Sequence, residues 1–180
     1  MFAPTQTAVI IPVGSAEGAV AQYRSRLDVA ASWGVPAHVT VLYPFLPPAE
    51  VGEQVIRRLA AVFAAANAFD CTFATCGWFG EEVLWLAPAP DGPFRNLTRD
   101  VVKEFPAYLP YGGEFDDVVP HLTVGESSRG TPDELRQVEA ELGRALAIPA
   151  RIEHALLIAG TDAPSSWHTL ATLPLGCSPC

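Results

Sequence analysis

Residues 36–41 read Pro-Ala-His-Val-Thr-Val and residues 119–124 read Val-Pro-His-Leu-Thr-Val, so a His-x-Thr-Val tetrad begins at His38 and again at His121, an offset of 83. In an extended strand successive side chains point to opposite faces. His38 and Thr40 therefore share one face while Val39 and Val41 take the other, and His121 and Thr123 are arranged in the same way. Each tetrad predicts a strand with an apolar core side and a polar side that carries one imidazole and one hydroxyl. A lone His-x-Thr is a weak signal. The repeat, however, continues at the same offset without a gap: Gln54-Val55 matches Gln137-Val138, Leu59 matches Leu142, and Phe69 to Gly77 matches Ile152 to Gly160. The chain reads as an internal duplication.

With 180 residues, 49% of them apolar and 17% charged, the chain can fill one core. A single domain is expected over 1–180, built from approximate repeats 7–78 and 83–159 with a closing strand over 167–173. No apolar run reaches the ~18 residues of a membrane span, and Thr7 to Val13 is short and lacks a basic flank, so a cytoplasmic protein is expected with no membrane contact. A net charge of −9 and a pI near 4.8 argue against tracking duplex nucleic acid through many phosphate contacts. A small or terminal phosphate is still compatible with it. The four cysteines are too few for a disulfide scaffold, and Cys71 and Cys76 are expected on opposite faces of one strand. Cys177 and Cys180 have the spacing of a zinc or redox pair but no second pair to complete four ligands, and they read as a tail.

In chain order, Thr7 to Val13 reads as a strand. Ser15 is a candidate N-cap for a helix to about Ala31, and His38 to Phe45 forms the first tetrad strand. Ala49 to Ala66 has helical spacing, and Phe69 to Trp78 followed by Val83 to Ala87 suggests a hairpin. A helix to about Phe105 opens at Asp91-Gly92-Pro93, and the second tetrad strand starts near Val118. Thr131-Pro132-Asp133-Glu134 is a strong start for a helix to about Ala147, and Ala150 to Ala159 and Trp167 to Leu173 close the chain as strands. This is βαβαβ twice plus a strand. The expected class is α+β, with two pseudo-symmetric lobes and largely antiparallel sheets around a central cleft.

If the polar faces of both tetrad strands meet in that cleft, the chemistry they suit is displacement at phosphorus. One neutral imidazole takes a proton from the attacking water or hydroxyl, and the other, protonated, gives one to the leaving oxygen. His38 and His121 are the candidate acid–base pair, and Thr40 and Thr123 are the candidate donors to nonbridging phosphate oxygens. No clear metal-ligand set accompanies them, and no cofactor is called for. Tyr108 and Tyr111, in the loop before the second tetrad, are candidate ligand contacts, and Gly112 and Gly113 would let that loop move as a lid. Trp78 and Phe79, near the hairpin turn, are candidates for stacking on a base. All four tryptophans, Trp33, Trp78, Trp85 and Trp167, otherwise read as core, as do Tyr43 and Phe45, which share the parity of Val39 and Val41. His154 and His168 lack the following Thr and read as strand-edge or surface residues. Arg24, Arg26 and Arg129 are possible phosphate contacts but read more simply as solvated surface groups.

The tetrads HVTV and HLTV, their spacing and the duplicated βαβαβ order resemble the 2H phosphoesterase superfamily, also called 2′-5′ RNA ligase-like, over nearly the whole chain. The wording PAHVTVLYPF is closer to a bacterial branch of it. The resemblance implies that paired His-x-Thr motifs line a cleft between two lobes and act without metal on cyclic phosphates or 2′-5′ linkages of nucleotides and RNA ends. It carries over to His38, Thr40, His121 and Thr123 only. Bacterial RNA ligase-like members often have Arg three residues after the second Thr, where this chain has Glu126. The leading expectation is a metal-independent phosphodiesterase that hydrolyses a 2′,3′-cyclic phosphate, or a related cyclic nucleotide phosphate, on a small nucleotide or an RNA terminus, and works as a monomer. The rivals are 2′-5′ ligation or cleavage, a nucleotide-phosphate-binding module without turnover, and a metal-dependent hydrolase.

Overall fold

A computed structural model describes residues 3–114 and 117–176. Cys177 and Cys180 lie outside the described residues. Eight strands form two four-stranded sheets in which every pairing is antiparallel. The first sheet has the order β2 (His38–Leu42), β1 (Gln6–Pro12), β7 (His154–Gly160), β8 (His168–Pro174). The second has the order β5 (Leu122–Glu126), β4 (Val83–Ala89), β3 (Phe69–Phe79), β6 (Ile148–Ile152). The fold is the expected α+β duplication, but the sheets do not follow the halves of the chain. β3, from the first half, lies in the second sheet, and β7, from the second half, lies in the first.

The helices cross over as well. α1 (Glu17–Leu27) packs on β5 of the second sheet, while α4 (Gly92–Glu104) packs on β2 of the first. α3 (Glu53–Ala64) seals the side of α4, turning Leu59 and Phe63 inward against Phe94, Leu97 and Val101 in one continuous core. α5 (Pro132–Leu142) starts as its sequence requires, with Thr131 Oγ1 accepting from the Glu134 N–H at 3.2 Å. Among the described residues no helix is long and apolar enough to cross a membrane.

Four expected elements differ. Ser15 caps nothing: it lies in a 3-10 turn, Gly14–Ala16, that runs into α1. The helix expected to reach Ala31 breaks at Asp28, whose extended backbone ends α1 and whose carboxylate accepts from Ala30 N–H at 2.9 Å to start the short α2 (Val29–Ser32). An aspartate that caps a new helix cannot also continue the old one. The single strand expected over Ala150 to Ala159 is two, because the chain leaves the second sheet at Ile152 and enters the first at His154. Cys71 and Cys76 do not face opposite ways: β3 carries an unpaired extra residue, Ala74, between Phe73 and Thr75, which shifts the alternation so that both thiols pack against the core.

Candidate functional site

β2 and β5 are edge strands of their sheets and approach each other across the molecule. Between them lies a cleft of about 540 Å³ lined by His38, Thr40, His121 and Thr123 together. The alternation places these four side chains there while Val39, Val41, Leu122 and Val124 are buried on the other face.

Each histidine is oriented in the same way. Nδ1–H of His38 donates to the Pro36 carbonyl at 2.7 Å, and Nδ1–H of His121 donates to the Val119 carbonyl at 2.7 Å. A carbonyl can only accept, so the proton sits on Nδ1 and Nε2 is left as the basic nitrogen. The backbone ahead of each histidine is pinned by an arginine from the preceding long helix. Arg24 Nη2 donates to the Val35 carbonyl at 3.2 Å, and Arg95 Nη1 donates to the Val118 carbonyl at 3.1 Å. Val35 and Val118 are both three residues before their histidine, at the same offset as the repeat. Each arginine is neutralised one turn away along its helix, Arg24 by Asp28 at 2.8 Å and Arg95 by Asp91 at 2.7 Å. Glu17 adds a further tie on the first side, its Oε1 accepting from Ala37 N–H at 2.6 Å.

Both imidazoles are less basic than a free histidine. Burial pushes His38 down, and the nearby Arg24 charge pushes it further, to about 4. Burial also lowers His121, where the Val119 carbonyl resists the shift by stabilising the charged ring. Phe79 stands edge-on to His121 at 4.8 Å between centroids, with Trp85 stacked behind it at 5.0 Å.

A second duplicated feature decides what else reaches the cleft. In β2, Thr40 pairs with Ile10 and Leu42 with Val9, which leaves Val41 as an extra residue. In β5, Thr123 pairs with Trp85 and Gly125 with Leu84, which leaves Val124 as an extra residue. A bulge resets the alternation, so the residue two beyond it turns back to the polar face. Those residues are Tyr43 and Glu126, again 83 apart, and both line the cleft. Tyr43 is therefore not the buried residue its parity predicts; it is half-buried, and its hydroxyl donates to Gln6 Oε1 at 2.6 Å. Burial raises the Glu126 carboxyl above the usual range.

The other candidates divide. Tyr111 lines the cleft, its side chain hydrogen-bonded to Thr40 and its N–H donating to the Tyr43 carbonyl at 2.6 Å. Phe79 lines it too. Tyr108 and Trp78 do not. The Tyr108 hydroxyl is turned to Glu50 at 3.2 Å and its ring to Phe45, while Trp78 packs on the core with Arg136 over its ring at 5.6 Å. Trp33 and Trp167, expected in the core, form a stacked pair on the cleft wall, 6.5 Å between centroids, with Tyr43 tilted against Trp167. A glycine seats Trp167: a Cβ at Gly160 would lie 2.4 Å from its ring, and one at Gly77, its repeat partner, 2.4 Å from Trp85. That pair of matched glycines was the available sequence signal, since a glycine inside a strand marks a close approach. Of the three arginines, Arg24 is buried, Arg26 is paired with Glu134 at 2.7 Å, and Arg129 does not line the cleft. Exposed His154 and His168 stand outside it. Among the described residues no group of three or more His, Cys, Asp or Glu is placed to hold a metal ion.

Comparison with solved structures finds the same fold in Escherichia coli LigT complexed with 3′-AMP, with a TM-score of 0.62 and 15% identity over 97% of this chain and 99% of that one. The Thermus thermophilus protein TT0787 matches with a TM-score of 0.61 and 15% identity, over 97% of this chain and 100% of the other. LigT complexed with NADP+ matches at 0.59 and 16%, over 97% and 99%. No curated protein sequence matches. The sequence profile of the 2′-5′ RNA ligase superfamily matches residues 12–163, and with it the duplicated His-x-Thr chain with two antiparallel sheets is a member of that superfamily, the 2H phosphoesterases.

Proposed function

We propose that this chain is a two-histidine phosphodiesterase that opens 2′,3′-cyclic phosphates of nucleotides or RNA ends, without a metal. One observation carries this: His38 and His121, each with Nδ1–H held by a carbonyl two residues back, line one cleft with Thr40 and Thr123. Support for a nucleotide comes from LigT, whose structures include complexes with 3′-AMP, ATP and NADP+.

The two histidines are not equivalent, and their difference assigns the roles. The Arg24 charge adds to the burial of His38, with Asp28 opposing it, and does not act on His121, which favours His121 as the resting place of a single proton shared by the pair. Neutral His38 is then the base and protonated His121 the acid. His38 Nε2 takes a proton from water as the water oxygen bonds to phosphorus; the bond from phosphorus to one ribose oxygen breaks, and His121 protonates that oxygen. Thr40 and Thr123 donate to the nonbridging oxygens, where charge is held during the displacement. Because both imidazoles are poorly basic in the free protein, the phosphate anion itself recruits the proton, and substrate binding takes one up from solvent.

The test is to incubate the protein, with chelator, with 2′,3′-cyclic nucleotides and a short RNA ending in a cyclic phosphate, following the products by phosphorus NMR beside His38→Ala and His121→Ala. Turnover lost in both variants is expected. Turnover that survives in either, or that vanishes with chelator in the native protein, overturns the assignment. Joining of RNA ends instead of ring opening would move it to the ligase chemistry.

A further inference from the structure

The charge inventory of the cleft runs against its proposed ligand. Among the described residues lining it there is no Lys or Arg, while two carboxylates, Asp117 and Glu126, are present. Asp117 is answered by Arg95 Nη1 at 2.6 Å. Glu126 takes a hydrogen bond from Ser128 Oγ at 3.1 Å, and among the described residues no Lys or Arg forms an ion pair with it, although the more distant charge of Arg129 favours its ionised form and that of Asp28 opposes it. The guanidiniums nearest the tetrads are committed elsewhere, Arg24 to Asp28 and the Val35 carbonyl, Arg95 to Asp91, Asp117 and the Val118 carbonyl.

We propose that Glu126 is a specificity-determining residue that limits the cleft to one phosphate and rejects ligands that bring a second one into the same space. This rests on the reading that a phosphate binds between the two tetrads. A first phosphate there is met by two hydroxyls and by an imidazole pair that can take up a proton, so its charge is neutralised on arrival. A second phosphate in the same space has no such partner. It faces the Glu126 carboxyl, whose ionisation burial opposes and Arg129 favours, across a site whose other walls include the apolar Ala8, Ile10, Val35 and Ile158, which screen charge poorly. The bulge at Val124 is what aims Glu126 inward, and the matching bulge at Val41 aims an uncharged Tyr43, so the repulsion comes from one wall only.

Binding of adenosine 3′-monophosphate and adenosine 3′,5′-bisphosphate, read at pH 7.5 and fixed ionic strength through the fluorescence of Trp33 and Trp167, tests this in the native protein, Glu126→Gln and Glu126→Lys. The native protein is expected to favour the monophosphate by about tenfold or more, a preference that shrinks with added salt. Glu126→Gln is expected to bring the two ligands within about threefold, and Glu126→Lys to invert their order. An unchanged ratio in folded Glu126→Gln, or native protein that binds neither ligand, overturns the proposal. The readout is separate from turnover: discrimination that depends on Glu126 in a protein that opens no cyclic phosphate would keep the charge filter and discard the hydrolase.

Discussion

On the β2 wall, the guanidinium that pins the backbone ahead of the histidine belongs to Arg24, 3% exposed, and its counter-ion Asp28 is 1% exposed. On the β5 wall the corresponding Arg95 is 35% exposed and divides itself between Asp91 and Asp117 at the rim. The hydrogen-bonding plan is the same on both sides, with arginine to the carbonyl at −3 and imidazole to the carbonyl at −2. What differs is solvent. The buried Arg24 charge lowers His38, with Asp28 opposing it, whereas the more exposed Arg95 does not figure in the shift of His121. Two copies of one unit thus keep the same His-x-Thr pair while the charges around the two imidazoles differ.

The largest expected effect is on turnover. His38→Ala and His121→Ala should each cost about 10²- to 10⁴-fold in kcat on a cyclic nucleotide. A 4-nitrophenyl phosphodiester separates the walls, because its leaving group needs no proton: His121→Ala should be largely spared on it and His38→Ala should not. Equal loss in both variants would break the proposed asymmetry.

Stability comes next. Arg24→Ala strands Asp28 as a buried unpaired charge and should cost about 3–5 kcal/mol in urea unfolding. Arg95→Ala removes a half-exposed pair and should cost about 1 kcal/mol or less. Replacing Arg24 and Asp28 together by apolar residues should recover part of the loss, the remainder being the cap that Asp28 gives Ala30 and the hydrogen bond that Arg24 gives Val35. It should also let the His38 pKa rise in an NMR titration, while His121 stays where it is.

The pH dependence of stability follows from the direction of the same shifts. The folded protein holds His38 and His121 below the ordinary value of 6.5, so below that pH the unfolded chain binds protons that the folded one refuses. Stability should therefore fall as pH drops from 6.5 towards 4, by up to about 3 kcal/mol for His38, and His38→Gln should flatten the curve. A comparably small effect is expected of Tyr43→Phe, which deletes one hydroxyl-to-Gln6 hydrogen bond and should cost about 1 kcal/mol or less with little change in kcat.

What is legible in the sequence and what is hidden there have a common physical origin. The tetrads, the repeat, the cap at Thr131 and the antiparallel α+β class all rest on local spacing, and local spacing holds wherever a strand or helix runs without interruption. The errors sit where it is interrupted. Strict alternation puts Tyr43 in the core and Cys76 opposite Cys71 because it cannot register an inserted residue, and Val41 and Ala74 are such insertions. The strand expected across Glu153 is divided because a change of sheet leaves no mark in hydrophobicity when both sheets share one core. Trp33 and Trp167 read as inward because a tryptophan on a cleft wall and one in a core have the same apolar neighbours in sequence. The offset of 83 holds more than the tetrads: applied to Tyr43 it points to Glu126, and applied to Gly77 it points to Gly160.

The extra residue in each tetrad strand also bears on how this site can be altered. Alternation couples all the side chains of one strand face, so that whatever moves one moves the rest. By inserting a residue after the threonine, the fold uncouples positions 43 and 126 from the histidine and threonine that precede them. They become two independent dials on a fixed instrument, one now set to tyrosine and the other to glutamate, and they are the natural addresses for reshaping the cleft while its paired histidines and threonines are left alone.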